Sequence, residues 1–136
     1  MDEVALMPFT HCDPDDPLAA TATIGACTGA ATNEDTLALG PEGGETRYNA
    51  ANPFDNVSDY NGAPIGPGIR DINGNGILGL ETYTATIAVA QAGLASGGDA
   101  IVAADALKIS VTVTGPSGVS VTLEGYRARY APNSLP

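Results

Sequence analysis

Leu107-Lys108-Ile109-Ser110-Val111-Thr112-Val113-Thr114, followed by Gly115-Pro116-Ser117-Gly118 and then Val119-Ser120-Val121-Thr122-Leu123-Glu124, is the stretch that decides the fold. Its apolar residues recur at every second position, and Lys, Ser, Thr and Glu fill the places between. Period two belongs to a strand with one buried face and one wet face. The Gly-Pro-Ser-Gly break makes the two arms a β-hairpin. Both apolar sets are odd-numbered, so facing residues must sum to an even number, or one arm turns its apolar face to water. That rules out a two-residue turn. A three-residue loop pairing Thr114 with Gly118 satisfies the condition, and so does a five-residue loop or a bulge. In these registers Asp105 falls opposite Arg127 or Arg129, an ion pair expected to be exposed and worth about 0–1 kcal/mol.

Working outward, Tyr83, Ala85, Ile87 and Val89 alternate with Thr82, Thr84, Thr86 and Ala88, which predicts another half-buried strand. Ala95-Ser96-Gly97-Gly98-Asp99 separates it from the hairpin. At the other end, Asp2 to Met7 reads as the last turns of a helix stopped by Pro8. Between them, residues 10–68 read as loop, rich in Asp, Pro and Gly. So long an irregular stretch needs tethers, and Leu37, Leu39, Phe54, Val57 and Tyr60 are its apolar docking points. The expectation is a single α+β domain over 1–136: a helix end at 1–9, a loop region at 10–68 and an antiparallel sheet of three to four strands at 77–130.

Composition agrees with a loop-rich β protein. Of 136 residues 43% are hydrophobic, but only 5% are aromatic, with Gly 17 and Pro 10. The core is therefore built from small side chains. The formal charge of −11 repels nucleic-acid phosphates and anionic membranes and attracts cations. Because the acids are scattered along the chain, solubility is the plainer reading and divalent-cation binding the sharper one. Cys12 and Cys27 offer no CxxC or Cys/His spacing for zinc or thiol redox chemistry. Asp, Pro, Thr and Gly surround them and make a poor core for buried thiols. A disulfide is favoured, worth about 3 kcal/mol on a chain-entropy model, and it points outside the cytoplasm. No apolar run is long enough to span a bilayer.

The sharpest local motif is Asp71-Ile72-Asn73-Gly74-Asn75-Gly76-Ile77-Leu78-Gly79-Leu80-Glu81. Oxygen side chains at Asp71, Asn73 and Asn75, glycine at the sixth position and Glu81 nearby resemble the front of a Ca2+ loop. An EF-hand loop wants its bidentate acid at the position of Thr82, however. An Asn-Gly-rich turn entering a strand explains the same residues, and both readings stand here. Catalytic readings are weak. His11 is the single histidine and adjoins Cys12, and no Gly-x-Ser-x-Gly elbow or phosphate-binding loop exists. Carboxylate pairs such as Asp15 with Asp16 mean nothing without geometry. Asn56-Val57-Ser58 is a glycosylation acceptor triplet of a kind common by chance. Tyr126, Arg127, Arg129 and Tyr130 end the last strand, where they form either a contact surface or a charge-protected sheet edge.

Thr10-His11-Cys12-Asp13-Pro14-Asp15-Asp16 after a helix end, Gly40-Pro41-Glu42-Gly43-Gly44-Glu45-Thr46-Arg47, Phe54-Asp55-Asn56-Val57-Ser58-Asp59-Tyr60-Asn61-Gly62, and the Leu107 to Arg127 hairpin together resemble the D-type minor pilins of mannose-sensitive haemagglutinin pilus systems. These belong to the type IV pilin and type II secretion pseudopilin superfamily, and the likeness runs in order along nearly the whole chain. The resemblance implies a pilin-type head whose antiparallel sheet packs on the end of an N-terminal helix. In that family the helix's first half anchors the precursor in the inner membrane, is processed by a prepilin peptidase, and later packs in the filament core. The processing site and membrane half are not in this sequence, and Asp2 to Phe9 correspond to the helix's end. Also implied are a periplasmic, then cell-surface or extracellular setting and partners among other pilin or pseudopilin subunits. The membrane is touched only through the missing helix. The function expected is non-enzymatic assembly, with Phe54, Tyr60, Tyr126, Arg127, Arg129 and Tyr130 as the interaction surface. Some pseudopilins bind calcium in a head loop, which draws interest to Asp71, Asn73, Asn75 and Glu81. The rival readings are a calcium-dependent adhesin or carbohydrate-binding module, and a small secreted hydrolase.

Overall fold

The computed structural model describes residues 1–35, 40–96 and 99–129, and Leu37, Leu39 and Tyr130 lie outside them. The chain opens with a short helix, α1 (Asp2–Leu6). Met7 is already extended, at φ −66° and ψ 151°, because the ring of Pro8 disfavours helical backbone in the residue before it. The strands are β1 (Pro64–Ile65), β2 (Thr84–Gln91), β3 (Leu94–Ser96), β4 (Asp99–Ile101), β5 (Ala106–Thr114) and β6 (Ser120–Ala128). An antiparallel sheet runs in the order β1-β2-β5-β6, and β3 pairs with β4 in a separate small hairpin. The architecture is α+β in character, with few helical residues.

Register follows from the parity of the apolar residues. β5 pairs with β6 from Ala106↔Ala128 to Thr114↔Ser120, so the connection is the five-residue loop Gly115 to Val119. β2 pairs with β5 from Thr84↔Thr114 to Gln91↔Leu107. All odd-numbered residues of these strands therefore share one face. The even-numbered face is wet: Thr112 and Thr122 hydroxyls bond at 2.8 Å, Thr114 and Ser120 at 2.8 Å, and Lys108 pairs with Glu124 at 2.6 Å.

The odd-numbered face carries the core. Ile87, Val89, Leu107 and Ile109 pack with Val4 of α1, with Phe9 just after it, and with Val57 and Tyr60 of the loop region. Burying side chains of this size stabilises by about 1.5–3 kcal/mol each. Glu3 ties α1 to two parts of the loop region. It accepts hydrogen bonds from the Arg47 guanidinium (Nε–Oε1 2.7 Å) and from the Tyr60 hydroxyl (2.8 Å). The loop region is pinned by the Cys12–Cys27 disulfide and by a bridge between Cys12 and Asn33. Asp13 N–H donates to Thr32 C=O at 2.9 Å, and Glu34 N–H to His11 C=O at 3.0 Å. Val57 N–H reaches Pro8 C=O at 3.0 Å.

Two expectations need correction. Tyr60, expected on a contact surface, is a core residue, with Phe54 half-buried edge-on against its ring at 5.1 Å. Arg129, expected in an exposed ion pair, has a side chain only 4% exposed. It lies over the Phe9 ring at 4.1 Å, 3.3 Å from Asp35 and 3.8 Å from Asp105. The even-sum register did place Asp105 opposite Arg129; the loop region then folded over the arginine, which sequence parity does not reveal. Asn56 is fully buried, which agrees with reading its acceptor triplet as a chance occurrence.

Candidate functional site

The sheet's apolar face is covered at one end and open at the other. α1 and the loop region close over Ile87, Val89, Leu107 and Ile109. Further along the same face, Val111 faces Leu123 and Val113 faces Val121 across the β5–β6 ladder. Val121 is 67% exposed and Leu123 58% exposed. Five helical residues span about 7–8 Å, whereas nine-residue strands run about 30 Å, so α1 is too short to cover the sheet. A groove of about 360 Å3 follows the gap, lined among others by Met1, Tyr83, Ala85, Val111 and Val113. Met1 packs within 3.7 Å of where a Cβ on Gly125 would stand.

Of the remaining surface residues singled out from sequence, Tyr126 is exposed on the wet face and Arg127 half-buried on the apolar face. Phe54 lines a separate groove of about 530 Å3 with Arg47, Tyr48, Pro64 and Pro67. Among the described residues, the predicted contact residues are thus distributed over different faces and do not form one patch.

The Asp71 motif folds as a turn closed by its own carboxylate. Asp71 Oδ1 accepts the N–H groups of Asn73 (2.9 Å) and Asn75 (2.8 Å), and Oδ2 accepts the Asn75 side-chain amide (3.2 Å). These bonds hold the Asp71 carboxyl below its usual range. Glu81 binds the Gly79 N–H at 3.0 Å, which lowers it likewise. His11 contacts Asp35 at 2.6 Å. The same aspartate also accepts the Gly25 N–H and faces Arg129, an arrangement that fixes the loop.

A different group of acids, none proposed as a site from the sequence, converges inside the loop region. Three overlapping sets each bring one oxygen per residue within 4.8 Å of the others: Asp13, Asp15, Glu45 and Asp55; Asp13, Glu34 and Glu42; Glu42, Glu45 and Asp59. Asp59 is 0% exposed, Asp13 2% and Glu34 3%. The backbone fixes one side of most of these carboxylates. Asp59 Oδ2 accepts the Asp55 and Asn56 N–H groups at 2.9 and 2.7 Å, closing the 55–59 turn. Glu45 Oε2 accepts the Glu42 N–H at 3.1 Å, and Asp13 Oδ1 the Asp15 N–H at 2.7 Å. Ser58 Oγ donates to Glu34 Oε2. Asp13 Oδ2, Asp55 Oδ1 and Asp59 Oδ1 are buried and make no hydrogen bond among the described residues, while the Glu34 and Glu42 carboxyls lie close enough to share a proton.

Electrostatics follow from that geometry. Burial, reinforced by neighbouring acids, pushes Glu45 up to about 7 and Asp55 and Asp59 up to about 6. Asp13 is raised, chiefly by burial. Glu34 and Glu42 face each other, and both are raised, first by burial. The scattered appearance of the acids in sequence is therefore corrected by the fold. The local signal was present in Cys12-Asp13-Pro14-Asp15, Glu42-Gly43-Gly44-Glu45 and Asp55-Asn56-Val57-Ser58-Asp59, which are tight turns carrying acids at both ends.

Comparison of the chain with family models, curated proteins and solved structures gave no match. Among the described residues, no helix is long and apolar enough to cross a membrane.

Proposed function

We propose that this domain is the head of a pilin-like or pseudopilin-like filament subunit, a non-enzymatic component that works by assembly. The supporting observation is the half-covered sheet: α1 packs on the same face that leaves Val121 and Leu123 open to water. A four-stranded antiparallel sheet with one hydroxyl-rich face needs apolar cover on the other. A helix that continues α1 on its N-terminal side in a longer chain would supply it, with Met1 as the junction. In the filament that helix joins the core, and the head presents loops and the β6 edge to neighbouring subunits. The disulfide suits an oxidising compartment, periplasmic and then cell-surface.

The experiment has two arms. The reading frame upstream of Met1 in the native gene should encode an apolar segment of about 20 residues that runs into α1. Within the longer chain, Val121→Glu with Leu123→Glu should abolish incorporation into filaments while the isolated head keeps its Tm. An upstream frame that encodes no apolar helix contradicts the reading, as does normal assembly of the double variant.

A further inference from the structure

We propose that the acidic cluster of Asp13, Glu34, Glu42, Glu45, Asp55 and Asp59 is a calcium site that locks the loop region onto the sheet. This is independent of the filament reading and of the Asp71 turn. Three observations carry it. First, the donors are all carboxylate oxygens with no sulfur or imidazole among them, the set preferred by a hard cation over zinc or copper. Second, Asp13 Oδ2 and Asp59 Oδ1 belong to side chains at least nine-tenths buried, yet make no hydrogen bond among the described residues. A buried carboxylate oxygen without a partner is costly, and Asp55 Oδ1 is a third one in the same cluster. Third, one oxygen each of Asp13, Asp59 and Glu34 is held by backbone N–H groups or a serine hydroxyl, which fixes these carboxylates in place before any ligand arrives.

Ca2+ suits the arrangement better than Mg2+. It accepts six to eight oxygens at variable angles, whereas Mg2+ demands near-octahedral geometry and keeps several waters. The ligands come from four separated pieces of the loop region, around residues 13, 34, 42–45 and 55–59. A cation binding them would cross-link these pieces much as the disulfide does. The exposed Asp15 stands at the rim and gives the ion a route from solvent.

The test is calorimetric titration of the disulfide-intact, chelator-stripped protein with Ca2+ alone at neutral pH, beside a thermal melt and an amide-exchange map. We expect one or two bound ions. At a Ca2+ excess of about a hundred times Kd, Tm should rise by roughly 8–10 °C, with slower exchange at residues 42–45 and 55–59. The informative variant is Glu42→Gln combined with Glu45→Gln. Glutamine copies the protonated acids that their raised pKa values favour, so the variant should fold and melt at least as high as the stripped wild type, while Ca2+ affinity falls by at least about tenfold. Asp71→Ala should leave the Ca2+ response unchanged. The proposal is overturned if Ca2+ gives neither heat nor a Tm shift with the wild type. It is also overturned if the double glutamine variant responds normally, or if the response disappears in Asp71→Ala.

Discussion

Asp16 and Glu34 are both buried acids in the same loop region, and their surroundings are opposite. Asp16 Oδ2 accepts the Thr28 N–H at 2.9 Å and the hydroxyls of Thr28 and Thr32 at 2.6 Å each, and its Oδ1 accepts the Leu18 N–H at 2.8 Å. These bonds stabilise the charged form and lower its pKa, the threonine hydroxyls most of all. Glu34 has one hydroxyl donor, and beyond it only the acidic side chains of Glu42 and Asp13 stand beside it. The difference shows that burial alone does not define a site. Asp16 is a fastener that the protein completes by itself. The cluster around Glu34 gathers carboxyls for which the described residues supply too few donors.

That contrast can be broken by substitution. The largest effect should come from Asp16→Ala, which removes the acceptor shared by the Leu18 and Thr28 N–H groups and the Thr28 and Thr32 hydroxyls and unfastens the segment from Leu18 to Thr32. Tm should fall by several degrees with or without Ca2+, and a Ca2+-dependent loss would blur the distinction between the regions. Gly66→Ala is a comparable probe of the scaffold. Gly66 has φ +101°, and an added Cβ would stand 2.6 Å from the Tyr83 carbonyl oxygen, so denaturant titration should show a loss of about 2–4 kcal/mol.

The pH dependence of the Ca2+-free protein sharpens the comparison further. The cluster acids have folded pKa values above their unfolded ones, so protonation favours the fold. Their contribution is fully present below about pH 4 and is lost as pH rises through 6–7. Asp16, Glu3 and Asp71 are shifted down. What they contribute is present above about pH 4.5 and lost on further acidification. Stability should therefore peak near pH 5, and Ca2+ should flatten the alkaline side. Glu42→Gln alone should raise Ca2+-free stability at neutral pH by no more than about 1 kcal/mol, since the side chain is partly solvated. The smallest effect belongs to Asp71→Ala, which opens an exposed turn and should cost the least of the series by denaturant titration.

Much of the sheet was legible from sequence because its cause is local. Alternation set the strands at Ala85 to Val89, Leu107 to Val113 and Val121 to Leu123, and parity limited the loop to an odd length. Choosing the five-residue loop over the three-residue one required the paired backbone. The disulfide was legible from composition around Cys12 and Cys27. The acidic cluster was not legible, because its members meet only after the Cys12–Asn33 bridge sets Asp13 beside Glu34 and two tight turns bring Glu42, Glu45, Asp55 and Asp59 against them. Spacing in an irregular segment carries no period from which to read such a meeting. The burial of Arg129 has the same origin. Strand parity fixes the face and the partner across the ladder, but says nothing of which loop closes over the end.

The most direct measurement is carboxyl-carbon NMR titration of Glu45, Asp55 and Asp59, with Ca2+ removed and then restored. The account predicts midpoints near 7, 6 and 6 without the ion and their collapse below the ordinary carboxylate range once it is bound. Midpoints near 4 in the Ca2+-free protein, unmoved by its addition, would contradict it.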